Sequence, residues 1–511
     1  MSLKIKFVLL LIAGAFAGGM YFGKGSAPAP TITVNSSTGG ASYQGGNSKD
    51  AEPGLGNSAE SKAAPGVTAT AETTVIIVKD GELIQNAVKA ANGPTTIQVM
   101  PGSYHETVYI DKDNIRLIGV IEEGRRATLD GKGVLNDAIL YSGNNIVVEN
   151  FYITKYKGNG IMSQAGNNFE IRNNIIADTG IYGIFPQLGK NGVVEHNIVS
   201  GIEDAAIYIG MSDNIHVAHN DVFDSVAGIE IENSRHAIVE NNNVHNNTGG
   251  ILAFITPGLP IKTTYDVIIR NNFIVGNNHV NFAAPGSTVA GIPAGTGILI
   301  MAADDVVVEN NIISDHKTAG ILIVDHANAA NTTLDPESEP NPDRVAILDN
   351  IMLNNGYETI PEVKALMALE LKQVEPDVVH VSAGKGSCMV NRHRYKTVGV
   401  KDFTDCEFSN TDDVITYLLD EPVEPRVIAA SERGKIAYLG VCAGCHAYTG
   451  RLIGPPIQTI QALYLENPQG LADYIAQPRK KRPDYPEMPP QAYLGEETLL
   501  AVSKYVLELT K

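Results

Sequence analysis

A short alternating pattern returns along the middle of this 511-residue chain with a near-constant step. The segments VVENFYI, EIRNNII, VVEHNIV, HVAHNDV, IVENNNV, IIRNNFI, VVENNII and AILDNIM place their third residues at Glu149, Arg172, Glu195, Ala218, Glu240, Arg270, Glu309 and Leu348. The first four steps are 23, 23, 23 and 22 residues. A second element, a small residue followed by Ile, keeps the same beat at Gly160-Ile161, Gly183-Ile184, Ala206-Ile207, Gly228-Ile229, Gly250-Ile251, Gly297-Ile298 and Gly320-Ile321. Apolar residues alternate within each unit, which is the period of a strand and not of a helix. Short strands in units of low-twenties length fit one turn of a right-handed parallel β-helix, each turn stacking on the next at the spacing of hydrogen-bonded strands.

One position of the unit is Asn at 174, 197, 220, 242, 272, 311 and 350. An inward-turned Asn at a bend can bond the Asn above and below it through its amide, and identical side chains stacked in register gain from this at every layer. We therefore expect a scaffold ladder. His196 and His219 fall in a bend slot that other units fill with Asn and are expected to share that role.

Ahead of the repeats, residues 80–93 (DGELIQNAVKAANG) form an amphipathic helix pattern with Asp80 at its start and Gly93 past its end. A solenoid end exposes unpaired strand edges, so a capping helix is what the physics requires. The following Pro101-Gly102-Ser103-Tyr104-His105-Glu106 and Asn114-Ile115-Arg116-Leu117-Ile118-Gly119 resemble the opening of pectate-lyase-like β-helix proteins. That resemblance covers residues 73–355. It implies a surface that handles polysaccharide, since lyases, epimerases and sugar-binding proteins share the fold.

Lyase or epimerase chemistry needs a general base and a group that neutralises the sugar carboxylate. The candidates within a few turns are Asp213, His216, His219, Glu230, Glu232, Arg235, His236 and His245. Asp213 and Arg235 fall on nearby rungs, as do Glu230 and the residues after Ile207. Glu230 and Glu232, however, alternate with Ile229 and Ile231 and are expected to face solvent. The Asp-Pro-His-Asp/Glu motif of mannuronan epimerases is absent, so the catalytic residues stay unknown. The repeat swells at 256–266, 277–296 and 325–343. Such insertions emerge on one flank of a solenoid and serve to border a groove, to dock a partner, or as tolerated surface loops.

The last eighty residues follow a different plan. Cys442-Ala443-Gly444-Cys445-His446 is the spacing of a c-type haem attachment site, with two thiols for the porphyrin vinyl groups and His446 for the iron. A zinc site would need further ligands, and neither His nor Cys follows His446. A redox dithiol would need a βαβ setting that the sequence lacks. Between residue 431 and the C-terminus the single Met is Met488, between Glu487 and Pro489, and it is the candidate sixth ligand of the iron. Residues 431–511 resemble class I mono-haem cytochromes c: a first helix running into the haem motif, Gly454-Pro455-Pro456-Ile457, a Met loop and a terminal helix carrying Leu499, Val502, Tyr505 and Val506. The resemblance implies one covalent haem c, with Pro455 turning its carbonyl to the His446 ring. The basic run 479–482 precedes the Met loop, where it would steer an acidic redox partner or simply be solvated.

The chain starts Met-Ser-Leu-Lys-Ile-Lys and continues with a 17-residue apolar run, 7–23, the layout of an export signal. Ala15-Phe16-Ala17 offers a cleavage site that would cut through this run. An uncleaved anchor to the inner membrane, leaving the rest in the periplasm, is the expectation. Residues 25–72 are Ser-, Gly-, Ala- and Pro-rich and are expected to be a disordered linker. Of four Cys, two belong to the haem motif, which leaves Cys388 and Cys406 for a disulfide in an exported chain. A net charge of −19 argues against a nucleic-acid partner.

The organisation expected from sequence is thus 1–24 signal or anchor, 25–72 linker, 73–355 β-helix, 356–430 connecting segment with the disulfide, and 431–511 a small all-α cytochrome c domain. The expected function is periplasmic electron transfer, with the β-helix binding a polysaccharide or a protein redox partner. One alternative makes the β-helix a polysaccharide lyase or epimerase with an accessory cytochrome. Another, by resemblance to the β-helix protein of nitrous-oxide-reductase maturation, makes it a metal-delivery protein and would need a His/Met/Cys cluster on one flank.

Overall fold

A computed structural model describes residues 73–510 except 164, 333–334, 425–431, 444, 452, 486–487 and 489. The expected anchor 7–23 and linker 25–72 lie outside the described residues. Within these, no helix is long and apolar enough to cross a membrane.

The repeats wind into a parallel β-helix with three sheets of twelve, ten and eleven strands among the described residues, here sheets A, B and C. Each strand pairs in parallel with its counterpart one turn away. Ile207 thus lies beside Ile229, Ile229 beside Ile251, Ile251 beside Ile298 and Ile298 beside Ile321. All five are wholly buried, each worth roughly 1.5–3 kcal/mol of apolar burial. The expected Asn ladder forms at the bend. Asn197 accepts from the backbone N–H and amide of Asn174 (3.0 and 3.1 Å) and donates to Asn220 (3.0 Å), and the bonding continues through Asn242, Asn272 and Asn311 to Asn350. His196 and His219 occupy the left-handed position just before it and stack ring on ring at 4.8 Å.

A second bend carries a ladder that the sequence reading missed, because its members change chemistry. Asn247 donates to Asn277, Asn277 to His316 Nε2, and His316 Nδ1 to Asn355. Burial holds His316 down at about 4, so it serves as a neutral ring with one donor and one acceptor.

The capping helix, Ile84–Ala90, is shorter than expected and Asp80 does not cap it. Its first N–H groups, on Ile84 and Gln85, donate instead to the carboxylate of Glu106 (2.8 and 3.0 Å), one turn of the solenoid away. Asp80 accepts from the backbone of Ser103.

The β-helix does not stop at residue 355. After the helix Pro361–Leu369, the strands Val378–Val381, Cys388–Met389 and Thr397–Val398 extend sheets A and C, so much of the expected connecting segment belongs to the solenoid. The Cys388–Cys406 disulfide closes this last turn. The chain then doubles back as a strap along the solenoid. Thr411 is held by Glu309 and Arg270, Tyr417 by Asn214, Leu419 by Asn191 and Val423 by both amide atoms of Asn168.

The C-terminal segment is helical: Arg433–Ala437, a π-helical turn Tyr438–Cys442, then Ile457–Leu463, Pro468–Ala476 and Gly495–Glu508. Leu499, Val502 and Val506 are buried against Ala437 and Tyr438, as the helical spacing predicts. Gly434 lets the first and last helices cross closely, since a Cβ there would lie 2.3 Å from the carbonyl oxygen of Ala501.

Candidate functional site

The strands of sheet C turn one set of side chains inward and the other outward. In the outward set Tyr208, Glu230, Leu252, Leu299 and Leu322 follow one another in register. So do Gly210, Glu232, Phe254, Met301 and Val324. That face is mostly apolar and is not left to solvent. The 277–296 insertion folds over it with Ala283, Val289 and Ile292, the helix Pro361–Leu369 adds Val363, and Ile453 joins from the C-terminal segment. The three insertions gather on this flank: Asp335 of the third binds Lys262 Nζ and Gly258 N–H of the first.

This corrects the expectation that Glu230 and Glu232 face solvent. Both point away from the solenoid core, yet they are 2% and 8% exposed because a second layer covers them. They border a small cavity of about 20 Å³ together with Asp204, Tyr182, Phe254, Thr256, Ser287, Thr288, Val289 and Ile453. A space of that size has room for about one water. Among the described residues, no Lys, Arg or His lines it. Tyr208 donates its hydroxyl to Glu232, and its ring stacks on Phe185 at 4.3 Å with Tyr182 at 4.6 Å. Glu230 Oε1 is buried without a hydrogen-bond partner among the described residues.

Burial raises the carboxyl of Asp204 well above the usual range, and the charge of Glu232 adds to this. Burial likewise raises Glu230, reinforced by Asp204 and Glu232. Glu232 is raised by burial and partly held back by the nearby Thr256 hydroxyl and the bond from Tyr208. Three carboxylates around one small space cannot all ionise.

Beside this cluster lies the C-x-x-C-H segment. Ala447 packs on Met211 and Leu259 of the β-helix flank, and Arg451 Nη2 donates to the carbonyl of Pro285. Cys442 and Cys445 are free, half-buried thiols. Cys445 is pushed up to about 12 by burial and by the charges of Asp204, Glu232 and Asp137, and Cys442 to about 12 by burial and by Cys445. His446 is buried, which lowers its basicity, and its Nδ1 donates to the carbonyl of Pro455 at 2.8 Å. That bond leaves Nε2 with the lone pair. Gly454 passes so close beneath the ring that a Cβ would lie 2.2 Å from its Cε1. Met488 lies half-buried in the apolar cluster that holds Cys442, Ala443 and Tyr438. Lys481 of the basic run sits over the rings of Tyr464 and Tyr474 at 4.7 and 4.2 Å.

The other candidates are scattered. Asp213 binds Arg235 (3.2 Å) and His236 (2.6 Å), and His236 also faces Asp266 (3.3 Å). His216 binds Glu240 (2.9 Å), and Glu240 also binds Arg270 (2.7 Å). Its bond from His216 holds the carboxyl of Glu240 down at about 2 against the effect of burial. His245 pairs with Asp221 on sheet B. These groups occupy different flanks from Glu230 and Glu232. Among the described residues, no three His, Cys, Asp or Glu are disposed to hold a metal ion. Asp204, Tyr208, Tyr182 and Thr256 went unnoticed in the sequence. The repeat does place Tyr208 beside Glu230, so that pairing was within reach, whereas the loop over it was not.

The chain matches the family described as Right handed beta helix region over residues 73–222, 132–257 and 222–338, just over half its length. It belongs to that family of right-handed β-helix proteins. The match ends at residue 338 and reaches no residue of the C-terminal segment. No curated protein matches it. Among solved structures it resembles the A-module of the Azotobacter vinelandii mannuronan C-5 epimerase AlgE4, at 15% identity over 60% of this chain and 92% of that one, with a TM-score of 0.41. It also resembles an alginate lyase from a Paenibacillus species, at 14% identity over 57% and 100% of the two chains, with a TM-score of 0.42. A tailspike protein of the E. coli bacteriophage HK620, solved with a pentasaccharide, matches at 10% identity over 60% and 57%, with a TM-score of 0.43. At these identities the likeness is one of fold alone.

Proposed function

We propose that this β-helix protein carries one covalent haem c on its sheet C flank and works in one-electron transfer in the periplasm. The observation that carries the reading is the 2.8 Å bond from His446 Nδ1 to the Pro455 carbonyl, within a C-x-x-C-H segment whose thiols are free. The residues fit the group. Cys442 and Cys445 would hold it covalently, His446 would offer Nε2 to the iron with its ring fixed by Pro455, and Gly454 leaves space for that ring. Met488 would supply the sulfur, which suits an electron carrier because no position on the iron then stays open. When bound, the haem supplies a reversible one-electron couple. A reactive dithiol would need lowered thiol pKa values, and here burial and carboxylates raise them. The Cys388–Cys406 disulfide suits an oxidising compartment. Residues 7–23 would hold the protein at the inner membrane, and the 479–482 run would meet an acidic redox partner.

The test is to mature the full chain in a periplasm equipped for c-type cytochromes. A porphyrin retained through denaturing electrophoresis is expected, lost when Cys442→Ser and Cys445→Ser are combined. Met488→Ala should remove the sulfur-to-iron charge-transfer band. A protein that holds no covalent porphyrin overturns the reading.

A second reading, a polysaccharide lyase or epimerase, draws support from the carboxylates and phenol clustered on sheet C and from the family fold. A space of about 20 Å³ admits no sugar, and its lining offers no cation to a uronate carboxylate. Incubation of the full chain with uronate polymers decides it, with unsaturated or epimerised product expected on this reading and unchanged polymer against it.

A further inference from the structure

The carboxylate cluster has no role in holding a haem, yet it lies against the segment that would. We infer that Asp204, Glu230 and Glu232 form a proton-loading site that takes up a proton when the neighbouring haem c is reduced, so that electron transfer by this protein is proton-coupled. The inference rests on the haem c reading.

Geometry carries it. The three carboxyls border one small space of about 20 Å³, and Glu230 Oε1 is buried there without a partner among the described residues. The other titratable groups near the cluster are Tyr182 and Tyr208 on sheet C, with Cys445 and Asp137 on the side of the C-terminal segment. The covering loop presents Ser287 and Thr288, and the C-terminal segment presents Ile453, none of which carries charge. With no cation lining the space, negative charge can be neutralised there only by protons or by an imported ion, and the carboxyls are not arranged as ligands of one metal ion. Ile453 of the segment that would bear the porphyrin lines the same space as the three carboxyls. Charge added at that segment acts on them through a low-dielectric interior and raises their proton affinity. The balance is one electron, delivered by a one-electron donor protein, and one proton from water, bound as a carboxylic acid. Oxidation releases both.

The experiment is a potentiometric titration of the purified holoprotein from pH 5 to 9, read by its visible spectrum. The midpoint is expected to fall with rising pH by up to 59 mV for each tenfold drop in proton concentration. In Glu230→Gln, and in Asp204→Asn in case the first fails to fold, the slope should drop by half or more while the haem spectrum stays the same. Infrared difference spectra of wild type should show a carboxylic acid band gained on reduction. A flat midpoint with an intact haem spectrum overturns this inference and leaves the haem reading standing. A slope unchanged in folded variants also overturns it, because the proton is then held elsewhere. A protein without covalent porphyrin overturns both readings.

Discussion

Two sets of buried polar side chains, one at the bend between sheets A and B and the other outside sheet C, differ in how they are satisfied. In the Asn ladder each interior amide gives and receives bonds within the stack. Asn220 alone accepts from the backbone N–H and amide of Asn197 and donates to Val194, Ala218 and Asn242. In the cluster outside sheet C, Glu230 keeps an unpaired oxygen and three acids face one another. Amides that close their own bonding hold a shape and need nothing else. Carboxyls that cannot do so keep an affinity for protons, and that affinity can be put to use.

The most severe way to break the contrast is Asn220→Ala, which strands donors and acceptors on two rungs. A loss of roughly 3–5 kcal/mol in urea unfolding is expected, since each orphaned buried group costs about 1–3 kcal/mol. A loss below 1 kcal/mol would mean that the ladder is ornamental. Opening the end of the solenoid with Cys388→Ser should cost somewhat less, about 3 kcal/mol for a link that spans 18 residues. The cost should vanish when wild type is compared under reducing conditions.

Glu230→Gln should act in the opposite direction. With folded-state pKa values raised by burial, the native protein binds more protons than the unfolded chain above the ordinary carboxylate range. Stability contributed by the protonated cluster is therefore present at acid pH and falls as pH rises through the raised values. The variant should equal wild type near pH 4 and exceed it by about 1–3 kcal/mol at pH 8, as followed by thermal unfolding at both pH values. The smallest effect belongs to Arg344→Ala. Arg344 is half exposed on the flank with Asp304 and Asp305, and removing it should change stability by less than about 1 kcal/mol.

The same contrast explains what the sequence made legible. The ladder was readable because its chemistry recurs in register with its geometry: Asn174 announces Asn197, and Asn197 announces Asn220. The inner Ile column followed for the same reason. The second bend escaped because His316 stands where its neighbours are Asn, and the helix cap because Glu106 reaches Ile84 across a turn of the solenoid. Glu230 and Glu232 were misjudged although their direction was right. Alternation tells which side of a sheet a residue takes, and it is silent on what later folds over that side, here a loop some fifty residues on and Ile453. Cys442, Cys445 and His446 are an expectation from spacing and Met488 one from its being the single Met after residue 431, and the bond from His446 to Pro455 is what the structure adds. The packing of Ala447 and Ile453 from that segment on the solenoid flank was beyond any local pattern.

The strap from Thr411 to Val423 has a consequence for how the chain assembles. Its anchors, Glu309, Arg270, Asn214, Asn191 and Asn168, belong to different coils, and it visits them in reverse order of synthesis. The docking track therefore exists only after those coils have been wound, so the helices that follow residue 431 arrive last, at a berth already finished. Biogenesis of the whole protein would then run out along the solenoid and back again, like a zip drawn closed over a coat already sewn.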